Sequence, residues 1–103
     1  MELLPPELRQ ALPPLYSQEA EPDPVVHVRY FTPDSSWAWF ITEGEPDGED
    51  FRFFGYVRGH EGEWGNFLLS DLLTIRGPLG LPIERDLNFK PGRFHDIVEP
   101  PED

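Results

Sequence analysis

The sequence predicts a single α+β domain, with a four- to five-stranded antiparallel meander sheet and two or three short helices. The chain has 103 residues, which is about the size of one domain. Apolar residues make up 38% of it and aromatic residues 14%, so it can bury a core and does not have a disordered composition. Four runs of β-branched and aromatic residues follow one another at short spacings, which is typical of antiparallel strands.

Residues 1–24 are predicted to form one helix and an acidic loop. Prolines stand before and after the segment ELRQAL, which frames a short helix. Leu8 and Leu12 lie one helical turn apart and would dock this helix on the core. The segment YSQEAEPDP is polar and acidic without a period, so we expect a surface loop.

Residues 25–69 form the predicted meander. Its strands are expected in the runs VVHVRYF, SSWAWFITE, FRFFGYVRG and EWGNFLLS, joined in order by TPDS, EGEPDGED and HEG. Apolar side chains occur at both alternating sets of positions, so both faces of the sheet need a cover. We expect at least one helix over one face, and a second cover or a partner over the other.

Residues 70–98 are predicted to add a helix, a rigid loop and an edge strand. The segment SDLLTIR starts with Ser70 as a capping residue, has Asp71 in its first turn, and ends at Gly77 and Pro78. IERDLNF is expected to be the edge strand and RFHDIV a last short helix. Residues 99–103, EPPED, form an acidic tail.

The charge balance is strongly acidic. Eight Lys and Arg stand against twenty Asp and Glu, a formal charge of −12. This disfavours direct binding to nucleic acid or anionic membranes, because such binding depends on cationic groups that meet phosphates. Attraction to a basic protein surface is favoured instead.

The composition also limits the chemistry and the location of the protein. The chain has no cysteine, which excludes disulfides and thiolate zinc sites. It has no basic leader segment and no run of eighteen apolar residues. We therefore predict a cytoplasmic protein without a membrane segment.

The densest group of acidic residues is predicted to lie at a hairpin tip. Five carboxylates fall within eight residues: Glu43, Glu45, Asp47, Glu49 and Asp50. Gly44 and Gly48 would supply positive φ angles, and Pro46 would fix a turn. We predict that these five carboxylates contact a protein partner.

Two other interpretations of this segment make specific demands on the sequence. As an EF-hand calcium loop starting at Glu43 it fails, because Phe54 stands where the bidentate ligand is required, and no metal site is predicted. As part of a DNA-like acidic surface it would need several acidic elements side by side, since charges on one strand face are too sparse. DNA mimicry stays a hypothesis.

Trp37 and Trp39 share one face of the second predicted strand. With the aromatic residues of the third strand they predict a packed core. If that face were open to solvent, the same residues would form an interaction surface or a dimer seam.

The alternative function is a small metal-independent hydrolase or endoribonuclease of the toxin-like kind. Such chemistry needs only a base, an acid and a cation, and Arg29, Arg58 and His60 would supply them. No nucleophile, phosphate-loop or zinc motif occurs, no cofactor is predicted, and a charge of −12 would repel RNA. A non-enzymatic role is therefore favoured.

Several stretches resemble a bacterial family catalogued as a domain of unknown function, family 2958. They are, in order, LPPLYSQE, PDPVVHVRYFTP, SSWAWFITE, FFGYVRGHEGEWGNFLLSDL and GLPIERDLNF, and the resemblance covers roughly residues 3–90. The resemblance implies an accessory protein of plasmids, conjugative elements or phage-defence islands, and it implies no catalytic residue. In that setting the charge favours a protein interaction role, of which an anti-restriction-like DNA mimic is one form.

Overall fold

A computed structural model of the chain describes residues 1–98 and confirms the predicted α+β fold. The acidic tail predicted over residues 99–103 lies outside the described residues. The helices are α1 (Pro6–Ala11), α2 (Leu69–Thr74) and α3 (Phe94–Ile97). The strands are β1 (Val25–Val26), β2 (Val28–Phe31), β3 (Ala38–Asp47), β4 (Asp50–Arg58), β5 (Gly62–Leu68), β6 (Glu84–Arg85) and β7 (Gly92–Arg93). Within residues 1–98 no helix is long and apolar enough to cross a membrane.

The main sheet is antiparallel, with the strand order β5-β4-β3-β2-β6. Strands β2 to β5 follow one another as the predicted meander, and β6 pairs with β2 as the expected edge strand. The first predicted strand is interrupted at His27, whose backbone N–H donates to the Ile41 carbonyl at 2.8 Å. Strand β1 therefore forms a separate two-stranded sheet with β7.

The first face of the sheet carries the larger core cluster. Its buried strand side chains are Val28, Tyr30, Trp39, Ile41, Phe51 and Phe53. The N-terminal segment and α2 cover them through Leu3, Leu4, Leu12 and Leu72. The Tyr30 hydroxyl donates to the Leu3 carbonyl at 2.7 Å, and burial raises the pKa of Tyr30, so the phenol stays protonated. The N-terminal segment is thus attached to the sheet by packing and by a buried hydrogen bond.

The second face is covered by the C-terminal part of the described chain. Its buried cluster consists of Val26, Ala38, Phe40 and Val98, with Phe31, Tyr56, Phe89, Phe94 and Ile97 packed against it. Because Ala38 and Phe40 alternate with Trp39 and Ile41 along β3, the two clusters lie on opposite faces. The second cover that the sequence required is therefore supplied here by the chain itself.

A β-bulge in β3 changes which side chains point to which face. Ile41 pairs with Gly55 and Glu43 pairs with the adjacent Phe54, so Thr42 is an extra residue on β3. An extra residue shifts the alternation of side chains by one position. Beyond the bulge, Glu43 therefore lies on the second face, where strict alternation would have directed it to the first.

Helix α2 begins differently from the prediction. Leu68 is its N-cap, and the Asp71 carboxylate accepts the Leu68 backbone N–H at 2.9 Å. The predicted capping role of Ser70 is wrong, because Asp71 reaches back to the chain before the helix. The Ser70 hydroxyl instead donates to the Asp50 carboxylate at 2.5 Å, which joins α2 to the start of β4.

The stability of the fold at acidic pH is expected to depend on Asp50. Hydrogen bonds from the Ser70 hydroxyl and from backbone N–H groups lower the pKa of the Asp50 carboxyl below its ordinary 3.8. A carboxyl with a depressed pKa stabilises the fold above its unfolded pKa, and this contribution is lost as pH falls through the folded pKa. Asp50→Asn should therefore make the loss of stability below about pH 4 less steep in urea denaturation. The exposed neighbour variant Glu49→Gln is the control, and superimposable acid profiles for Asp50→Asn and wild type would contradict the prediction.

Candidate functional site

The predicted acidic hairpin tip is much shorter in the structure. Strands β3 and β4 continue to a turn whose two central residues are Gly48 and Glu49. Gly48 has a φ of 61° and fills the predicted left-handed position. The turn roles predicted for Gly44 and Pro46 are wrong, because both lie within β3 opposite two buried phenylalanines of β4. Pairing with β4 prevails over the local turn signal of glycine and proline.

Two of the five predicted interaction carboxylates hold the N-terminal loop. Glu43 is only 3% exposed, and its two oxygens accept the backbone N–H groups of Tyr16 and Gln18, each at 2.7 Å. Glu45 accepts the N–H of Leu15 at 2.9 Å. The position predicted for Glu43 at an exposed tip is wrong, because the bulge directs it beneath this loop.

The other three carboxylates lie nearer the surface. Asp47 pairs with Arg52 at 3.0 Å, and Asp50 binds Ser70 as described above. Glu49 is exposed in the turn. The hairpin therefore presents less free charge than its sequence indicates, and its role in contacting a partner remains a prediction.

The acidic N-terminal loop is ordered by a glutamine. The Gln18 side chain donates to the Val25 and Thr42 carbonyls at 3.0 and 2.8 Å, and accepts the Val25 N–H at 2.8 Å. Together with Glu43 and Glu45, these bonds attach residues 15–18 to β1 and β3. Nothing in the local sequence signals this arrangement, because Thr42 and Glu43 lie 24 and 25 residues from Gln18 in the chain.

A cleft of about 360 Å³ lies between this loop and the sheet. Its apolar lining residues are Tyr16, Pro22, Pro24, Phe54 and Trp64, and its polar ones are Gln18, Glu19, Glu21, Thr42, Glu43 and Asn66. We call this site the acidic aromatic cleft. Of the residues singled out in the sequence as interaction residues, it contains Glu43 alone.

Aromatic rings form one side of the acidic aromatic cleft. Phe54 and Trp64 are nearly parallel, at an interplanar angle of 15° and a centroid distance of 5.7 Å. Tyr56 and Phe94 also contact the indole of Trp64, yet Trp64 remains 42% exposed. Sequence reasoning assigned the aromatic stripe to the core and missed Trp64, whose exposure depends on what covers the second face.

All the charged side chains that line the cleft are acidic. Three carboxylates line it, those of Glu19, Glu21 and Glu43, and its described lining includes no Lys, Arg or His. Glu21 lies 3.9 Å from the Arg93 guanidinium in a solvent-exposed pair, and such pairs contribute little. In residues 1–98 no group of three or more His, Asp or Glu side chains is arranged to hold a metal ion. The lining suits an organic cation.

Tyr16 lies at the mouth of the cleft in a strained backbone conformation. Its φ is 70°, the residue is 71% exposed, and its backbone N–H donates a hydrogen bond to the Glu43 carboxylate. A left-handed conformation costs a non-glycine residue about 1–2 kcal/mol. We therefore expect Tyr16→Gly to raise the free energy of unfolding by about 1 kcal/mol in urea denaturation. Tyr16→Ala keeps the strain and removes the same ring, so an equal gain for both variants would contradict this explanation.

The residues of the alternative catalytic hypothesis are only partly brought together. Arg29 and Arg58 both lie against the Phe40 ring, at 5.8 and 5.2 Å from its centroid, and Arg29 also pairs with Asp86 at 3.3 Å. His60 packs instead on the edge of Trp37, with centroids 5.9 Å apart. The three predicted side chains thus occupy two separate aromatic environments.

The two tryptophans differ in their surroundings. Trp39 is 5% exposed and belongs to the first-face core, whereas Trp37 is 37% exposed beside it, with centroids 6.1 Å apart. Because Trp39 is buried in the core, the predicted interface role applies to Trp37, for which it remains a prediction.

The chain was compared with known protein families. The family model described as "Protein of unknown function (DUF2958)" matches residues 3–95. The chain belongs to this family. The matched region includes the loop and the strands that form the acidic aromatic cleft. No curated protein and no solved structure matches the chain significantly.

Proposed function

We propose that this family member is a small, non-enzymatic accessory protein that binds a basic protein partner in the cytoplasm. The setting is a mobile genetic element or a defence island, as the family resemblance implies. The observation that carries the proposal is the acidic aromatic cleft, in which three carboxylates and exposed aromatic rings occur without a lining cation among the described residues. Aromatic residues are enriched where proteins bind one another.

Electrostatics favour a basic protein as the partner. A net charge of −12 attracts a positively charged surface and speeds the encounter with it, whereas it repels phosphates. The attraction is screened over about 8 Å at physiological salt and about 3 Å at 1 M salt. Binding should therefore weaken as salt is raised.

The structure offers less support for a DNA-mimic form of this function. Mimicry requires closely spaced free charges on neighbouring elements. Within the hairpin, Glu43, Glu45 and Asp50 already accept hydrogen bonds from other parts of the chain. A local cleft is therefore a better candidate site than an extended acidic row.

The experiment is capture of the tagged protein's partners from host lysate, elution along a salt gradient, and titration of each purified candidate. We expect a basic protein whose affinity falls as salt rises. A captured protein that is acidic, or whose affinity does not depend on salt, would contradict the proposal, as would no specific partner. Cleavage of RNA by the purified protein would favour the hydrolase hypothesis instead.

A further inference from the structure

We propose that the acidic aromatic cleft binds an arginine side chain of the protein partner. This inference rests on the proposed function and specifies its chemistry. The cleft combines the two features that recognise an organic cation, exposed aromatic rings and carboxylates close to them.

The aromatic rings supply the first interaction. A cation placed over the face of a tryptophan or a phenylalanine is attracted by the ring's electron density, and tryptophan is the strongest of these partners. Trp64 and Phe54 line the cleft, and Trp64 is accessible to solvent. The protein itself uses this interaction elsewhere, with Arg9 lying 4.9 Å from the centre of the Phe51 ring.

The carboxylates supply the second interaction. Glu19 and Glu21 are exposed on the loop that faces these rings, and Glu43 lies beneath the same loop. A bound cation would lie near the exposed carboxylates of Glu19 and Glu21, and the buried Glu43 would add a third formal negative charge from beneath the loop. The attraction between unlike charges at this distance favours binding of a cation over binding of a neutral group.

The planar rings favour arginine over lysine. A guanidinium is flat, less strongly hydrated than an ammonium group, and stacks on aromatic faces. It also presents several donors in a fixed plane, which suits carboxylates on the loop while the ring face remains in contact. A lysine ammonium would have to lose a tighter hydration shell to reach the same position.

The size and rigidity of the cleft suit a single side chain. Its volume of about 360 Å³ lies at the lower end of the range for ligand pockets. Its loop is fixed in place by the hydrogen bonds of Gln18, Glu43 and Glu45 before any ligand arrives. A preorganised loop lowers the entropy lost on binding.

The test titrates the full chain with capped Gly-Arg-Gly, Gly-Lys-Gly and Gly-citrulline-Gly peptides in two-dimensional ¹H–¹⁵N NMR. Citrulline has the shape of arginine without its charge. We expect the arginine peptide to shift the Trp64 indole N–H and the Asn66 side-chain amide in a saturable way, with smaller shifts for lysine and none for citrulline. The Trp37 indole, which lies outside the cleft, should not move.

Matched charge variants then locate the site. Glu19→Gln combined with Glu21→Gln should weaken arginine-peptide binding about fivefold, because two carboxylates near the cation are neutralised. Glu49→Gln combined with Glu61→Gln makes the same change in net charge at exposed positions outside the cleft, and should leave the affinity within about twofold. Trp64→Leu should weaken binding about tenfold. All four altered glutamates are outside the core, so the two double variants should fold alike.

The outcomes separate this inference from the proposed function. If citrulline or lysine shifts the Trp64 signal as much as arginine, or if the two double variants bind equally, the arginine site is refuted. The proposed function would still stand if a basic partner were captured in a salt-dependent manner. Binding of the arginine peptide without any basic partner in the lysate would instead support the cleft and refute the proposed function.

Discussion

Replacing Gly55 by alanine is expected to lower the free energy of unfolding by about 3 kcal/mol, a large fraction of the stability of so small a domain. Gly55 lies in β4, between β3 and β5, at the position of the bulge. A Cβ atom added there would lie 2.2 Å from the Phe40 carbonyl oxygen and 3.0 Å from the Ile41 Cα. These are backbone atoms of the paired strand, so no side-chain rotation relieves the overlap.

The chain contains a matched control for this experiment. Gly65 in β5 pairs directly with Gly55, and a Cβ added to Gly65 would meet nothing within 4 Å. Gly65→Ala should therefore leave the stability unchanged or raise it by about 0.5–1 kcal/mol, because glycine in a strand loses more backbone entropy on folding. Urea denaturation followed by tryptophan fluorescence compares the two variants. If both variants changed the free energy of unfolding by similar amounts, the close approach of β3 to Gly55 would not be the cause of the loss in Gly55→Ala.

Replacing Glu43 by alanine is expected to cost about 3 kcal/mol of unfolding free energy. The substitution removes the acceptors of the Tyr16 and Gln18 N–H groups, and it empties a buried position. Hydrogen bonds to a charged group each contribute about 1.5–3 kcal/mol, and the donors left behind in the loop lose their partners. A domain of this size loses roughly 4–8 °C in Tm for each kcal/mol.

Two variants distinguish this structural role from a general effect of charge. Glu49→Ala removes an exposed carboxylate nearby and should change the stability by less than about 0.5 kcal/mol. Glu43→Gln retains one acceptor oxygen and should be less damaging than Glu43→Ala. Hydrogen exchange provides a direct measurement, because the Tyr16 and Gln18 amides should lose protection in Glu43→Ala. If those amides kept the protection seen in wild type, Glu43 would not be the group that orders the loop.

The loop anchored by Glu43 also forms one wall of the acidic aromatic cleft. A substitution that releases this loop should weaken arginine-peptide binding, even though Glu43 is nearly inaccessible to solvent. Stability and binding are therefore expected to change together in Glu43→Ala. In Glu19→Gln combined with Glu21→Gln, binding alone should change, because both side chains are exposed.

Local patterns in the sequence determined the fold class. Prolines around ELRQAL, four runs of β-branched and aromatic residues and a cluster of helix signals after Leu69 predict the helices and the meander that the structure contains. These signals are reliable because each depends on residues close together in the chain. Several of the same stretches carry the resemblance to the family, whose model matches residues 3–95.

The tertiary structure alone decided which acidic residues are free. Glycine, proline and aspartate predicted a loop from Glu43 to Asp50, but pairing with β4 extended β3 through most of it. The extra residue Thr42 then turned Glu43 to the second face, since a shift of one position exchanges the faces of a strand. Strand register depends on contacts between distant residues, and no local pattern encodes it. The cleft follows from that register, because Glu19 and Trp64 line the same cleft when the loop is anchored to β3.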